Sequence, residues 1–98
     1  MAIDWLNATE AQQFGKALAK FYVSKLPPDA GKADKKFPNK RDFVAKKMLE
    51  QVDEFKQEHK LNLYKKAQLG NAFKWTLKEA GYAGEEIDRL TGTLVRQL

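Results

Sequence analysis

The residues able to do covalent chemistry are few. The chain has one histidine, His59, one serine, Ser24, and no cysteine. A nucleophilic site needs a hydroxyl or thiol, a base within reach of it, and a third group to orient the base. Ser24 and His59 fall in different segments, and no third group is placed to orient them. The spacing predicts a boundary or capping role for His59 rather than catalysis. Carboxylates crowd one stretch, Glu50, Asp53, Glu54 and Glu58. They recur at helical neighbour spacing, and such a surface could hold a divalent ion. However, the chain has neither an Asp-x-Asp-x-Asp-Gly loop nor a His-Glu-x-x-His pair, and nearby lysines supply ordinary ion pairs. The glycines do not form Gly-x-Gly-x-x-Gly or Gly-x-x-x-x-Gly-Lys-Ser/Thr, so no phosphate loop is present. The expectation is a non-enzymatic chain with no metal and no cofactor.

Binding chemistry is better represented. Between Lys32 and Lys47 stand seven basic residues, Lys32, Lys35, Lys36, Lys40, Arg41, Lys46 and Lys47, opposed only by Asp34 and Asp42. That window carries the whole net charge of +5, and the remaining residues, eleven of each sign, cancel. A concentration of cations in one segment attracts anionic or acidic partners. Phe37 adds an apolar contact among the lysines. Lys40 and Arg41 stand where a helix is expected to begin, and free N–H groups at such a start also favour anions. The candidate partner-binding residues are therefore Lys35, Lys36, Phe37, Lys40, Arg41, Lys46 and Lys47. The plain alternative is a solvated loop whose lysines keep the chain in solution. The first functional expectation is an interaction module for an acidic protein. The second is a nucleic-acid-binding regulatory protein, and an anionic polymer or lipid surface offers the same chemistry.

Four helical segments would position these groups. The first is expected over about residues 8–25, with Asn7 as N-cap, Glu10 three residues on as in a capping box, and a stripe of Phe14, Leu18 and Phe21. Gly15 lies at the edge of that stripe, and a mid-helix glycine suggests close approach by a neighbour. Pro27 and Pro28 end this helix. A basic loop over residues 27–39 follows, with Asn39 as the N-cap of a second helix over about 40–59. Val44, Met48, Leu49, Val52 and Phe55 form the apolar arc of that helix. The third helix is expected over about 62–80, closed by Gly81, with Phe73 and Leu77 inward. Tyr64 and Trp75 align on another of its sides and are expected to pack against Ile3, Trp5 and Leu6. The fourth is expected over about 85–97, burying Ile87, Leu90, Leu94, Val95 and Leu98. Short links between the second, third and fourth helices favour antiparallel neighbours. The fold class is all-α, a four-helix bundle or an orthogonal array, in a single domain over residues 1–98.

The final segment also resembles the end of a helix-turn-helix unit. Gly92 would be the turn glycine, with Ile87 and Leu98 as buried positions. Two departures stand out: Asp88 occupies a position that the motif keeps small, and too few residues follow to complete a recognition helix. The resemblance implies DNA binding, consistent with the second functional expectation. No basic-then-apolar leader opens the sequence, no apolar run reaches the ~20 residues of a membrane span, and cysteine is absent. A cytoplasmic location is the default expectation, and the oligomeric state is left open.

Overall fold

A computed structural model describes residues 8–28 and 37–98, with side chains from Asn39 onward in the second stretch. The fold is all-α. Its helices are α1 (Thr9–Lys25), α2 (Phe37–Glu58), α3 (Leu63–Ala80) and α4 (Gly84–Gln97). Among the described residues there is no strand.

The ends of the helices follow from local chemistry. Ala8 stands at the N-cap of α1, where its carbonyl accepts the Gln12 N–H at 2.8 Å and no side chain caps the helix. The expected cap, Asn7, lies outside the described residues. At the other end Leu26 donates to the Tyr22 carbonyl at 2.8 Å, and Pro27 can supply no further N–H.

The second helix begins three residues earlier than its sequence suggested. Pro38 falls in the first turn, where its missing N–H costs nothing. Asn39 is therefore inside α2 rather than its cap, and Lys40 and Arg41 lie beyond the first free N–H groups. The first turn contains no acidic residue.

The third helix has both ends locked. Asn62 Oδ1 accepts the Lys65 N–H at 2.8 Å, and Gly81 adopts φ 98°, a left-handed conformation that glycine takes without a Cβ clash. The fourth helix runs unbroken through Gly92. The turn proposed there by the helix-turn-helix resemblance is absent, because helical hydrogen bonding on both sides carries the glycine along.

The helices form a ring. The most extensive contact is between α1 and α3, followed by α3 with α4, and smaller contacts of α2 with α1 and with α4 close the ring. α2 and α3 are joined by only four residues, yet they make no close backbone contact. This corrects the expectation that short links make neighbours of all three later helices: α1 and α4 lie between the two. The interior holds Leu18, Tyr22, Val52, Leu69, Phe73, Leu77, Leu90 and Leu94, each 2% exposed or less. Burial of each large side chain stabilises the fold by about 2 kcal/mol.

The seam between α1 and α3 is built from small residues. Ala11, Gly15 and Ala19 are buried on α1. A Cβ at Gly15 would overlap the Leu69 carbonyl oxygen and stand 3.3 Å from the Ala72 Cβ. The two backbones are therefore as close as glycine permits, which is the close approach that Gly15 suggested. Phe14 and Phe21, expected in the core, are only partly buried. They sit at the margin toward α2, where Phe14 stacks on Phe55 with ring centroids 4.2 Å apart. Val95 is also less buried than its place in the α4 stripe suggested, at 49% exposed. It lies over Gly70, and its Cγ2 would be 3.2 Å from a Cβ there. No helix among the described residues is long and apolar enough to cross a membrane.

Candidate functional site

Where α1 ends and α2 begins, a cleft of about 510 Å³ lies between the two helices. From α1 it takes Phe21, Lys25 and Leu26, and from α2 it takes Asn39, Lys40, Phe43, Val44 and Lys47. The helical repeat explains the α2 wall. Residues 40, 43, 44 and 47 are three to four apart and share one face. The cleft has an apolar floor and walls with three ammonium groups around them. Two of those ammonium groups lie over the aromatic rings: Lys25 Nζ is 5.9 Å from the Phe21 ring centroid, and Lys47 Nζ is 5.5 Å from that of Phe43. Among the described residues that line the cleft there is no carboxylate. Lys47 also meets Glu50 at 3.6 Å, but both side chains are about half exposed, and such a pair is weak in water.

The basic strip is thus divided. Lys40 and Lys47 line the cleft. Lys46 is exposed and does not line it. Arg41 is half-buried, and its charge acts on the Tyr22 hydroxyl. Lys35 and Lys36 lie outside the described residues, and Phe37 is described by its backbone alone. In exchange, the structure adds Lys25, Leu26 and Phe43, which sequence reasoning missed. Phe43 could have been noticed: it falls off the apolar arc of α2 and is 62% exposed. Lys25 could not, because nothing in the sequence pairs the end of α1 with the second turn of α2.

The floor of the cleft is tied to the far side of the fold. The Tyr82 hydroxyl, in the turn between α3 and α4, donates to the Leu26 carbonyl. The Tyr22 and Tyr82 rings are 5.7 Å apart and tilted by 57°. Burial, the neighbouring Tyr22 and then the Glu86 charge push the Tyr82 hydroxyl well above the ordinary tyrosine value of 10.0. The Tyr22 hydroxyl is also raised, first by burial and then by Glu86, and Arg89 and Arg41 partly offset this. Both phenols therefore keep their protons at any physiological pH.

The groups considered for catalysis are held apart. His59 Nε2 meets Glu10 Oε2 at 3.0 Å, and its ring stacks on Phe55 at 4.2 Å. Ser24 donates to the Phe21 carbonyl at 2.7 Å. Glu10 and Ser24 lie at opposite ends of α1, about 21 Å apart at 1.5 Å per residue. A serine–histidine pair is out of reach at that separation. Glu50, Asp53, Glu54 and Glu58 are exposed along α2. Among the described residues no group of three or more histidines, cysteines or acids is arranged to hold a metal ion. Trp75 and Tyr64 are 51% and 41% exposed, which corrects the expectation that they belong to the core. The residues expected to cover them, Ile3, Trp5 and Leu6, lie outside the described residues. Lys78 Nζ is 4.7 Å from the Trp75 ring centroid.

No protein-family model, no curated protein and no solved structure matches this chain.

Proposed function

We propose that this protein is a non-enzymatic interaction module that receives an acidic protein partner at the cleft between α1 and α2. One observation carries the reading: an apolar trough surrounded by Lys25, Lys40 and Lys47, with no carboxylate among the described residues that line it. Water-filled apolar surface is unfavourable, and its removal by a partner drives association. The three ammonium groups select the sign of that partner and speed its approach. Lys40 and Lys47 were among the cations singled out from charge clustering. Their common orientation gives the reading its site, while Lys46 and Arg41 act from outside it.

Nucleic acid has less support. The turn at Gly92 that suggested a reading motif is absent, and the cleft offers an apolar floor rather than a run of cations along a phosphate backbone.

The reading is tested by capture of binding proteins from a lysate of the source cells, after nuclease treatment. The double variant Lys40→Glu/Lys47→Glu should lose a captured protein that wild type and Lys46→Glu retain, with thermal stability unchanged. Equal capture by the double variant overturns the reading. Capture that disappears with nuclease favours nucleic acid instead.

A further inference from the structure

We infer that the occupant of the α1–α2 cleft is an acidic amphipathic helix, which sets large apolar side chains on the cleft floor and its carboxylates beside Lys25, Lys40 and Lys47. The inference rests on the interaction-module reading and specifies the chemistry of the partner.

The floor requires an apolar contribution. Leu26 and Val44 are buried at its base, and Phe43, 62% exposed, forms a wall. A partner bearing only carboxylates would desolvate these surfaces and place polar groups against them, which is unfavourable. The volume, about 510 Å³, has room for a pair of large side chains but not for a whole helix. The backbone of the occupant therefore lies across the mouth while its side chains fill the interior.

The walls decide the conformation of that backbone. Both are α-helices, and apart from the last carbonyls of α1 and the first N–H groups of α2 their backbone groups are paired within the helix. No sheet edge exists among the described residues to pair with an added strand. An extended segment would leave without partners those of its peptide groups that face the apolar rim, at a cost of order 1–3 kcal/mol each. A helix satisfies them internally, and its apolar stripe at i, i+3, i+4 and i+7 presents neighbouring side chains to one groove.

The charges set the flanks. Lys25 and Lys47 lie over the Phe21 and Phe43 rings from opposite walls. Carboxylates on both sides of the apolar stripe would therefore meet ammonium groups on both sides of the cleft. A basic amphipathic helix would be repelled at each of them.

The test uses three fluorescent peptides of about 16 residues: a leucine/glutamate helix with its leucines at i, i+3, i+4 and i+7, a scramble of identical composition without that stripe, and a leucine/lysine counterpart. Binding to the intact protein is followed by anisotropy at low and physiological salt. The amphipathic acidic peptide should bind at least about tenfold tighter than the scramble. Phe43→Ser should remove most of that advantage, and Lys40→Glu/Lys47→Glu should weaken binding further, while Lys46→Glu should have a small effect. Circular dichroism should show the peptide gaining helix on binding. Equal binding of stripe and scramble, both unaffected by Phe43→Ser, overturns the helix inference but leaves the electrostatic reading standing. Absence of binding by either acidic peptide at low salt, or tighter binding of the lysine peptide, overturns both.

Discussion

One helix, α1, meets its two neighbours in opposite ways. Along α3 it presents Ala11, Gly15 and Ala19, and the backbones close until no further atom fits at Gly15. Toward α2 it presents Phe14 and Phe21, which hold the helices apart and are themselves incompletely covered. The first contact excludes water by removing side chains, and the second leaves space by keeping them. A small all-helical chain has few surfaces to spare, and here stability and recognition are assigned to different sides of the same rod. The seam should tolerate almost no change in volume. The exposed wall of the cleft, Phe43, should tolerate polar substitution with little effect on the fold.

The sharpest way to break this contrast is Gly15→Ala. Its methyl would overlap the Leu69 carbonyl oxygen, a backbone atom that cannot swing aside. A loss of about 3 kcal/mol is expected, at the upper end for overpacking, read from urea denaturation midpoints. A loss below about 1 kcal/mol would show that the seam can slide open, and the distinction between the two regions would fail.

Tyr82→Phe tests how firmly the cleft floor is held. Removing the hydroxyl leaves the Leu26 carbonyl without that donor, at a cost of about 1–2 kcal/mol. The same residue sets an alkaline limit. Its folded pKa lies above the ordinary tyrosine value of 10.0, as does that of Tyr22. The native state keeps both protons where the unfolded chain releases them, so the unfolded state binds fewer protons and stability falls as pH rises above 10. Below pH 10 the two phenols add no slope. Melting temperatures followed from pH 9 to pH 11.5 should decline, and the decline should be shallower in Tyr82→Phe. An equal slope would mean that the lysines, not the phenols, control the alkaline transition.

The smallest change is expected from Phe43→Ser. With the ring already 62% exposed, stability should move by no more than about 0.5 kcal/mol, while peptide binding weakens. A large loss of stability would make Phe43 a structural residue and remove the free wall from the cleft.

Features governed by neighbours in sequence were legible. Asn62 and Gly81 mark the two ends of α3 because capping and left-handed conformation are properties of single residues. Gly15 announced a close approach because a glycine inside a helix needs a reason. The start of α2 was misplaced because Asn39 looks like a cap, while Pro38, equally at home in a first turn, was assigned to the loop. Features that depend on distant partners were not legible. Phe14 and Phe21 share a helical stripe with Leu18, but which edge of the stripe is covered depends on where α2 lies. Tyr64 and Trp75 have the size of core residues, and only the packing of α3 shows them half in water. The lysines were visible as a cluster. The cleft was not, because it joins Lys25 to Lys40 and Lys47 across a segment whose course no periodicity records.

The ring order of the helices bears on how the chain is made. Gln12 on α1 bonds to Gln68 on α3, 56 residues downstream, whereas the helix that follows α1 directly makes the lesser contact. During synthesis the first helix leaves the ribosome long before the surface that will seal its alanine-and-glycine side exists. High contact order of this kind slows folding relative to a bundle of sequential hairpins. The nascent chain must wait, with that side wet, until residues near Leu69 emerge.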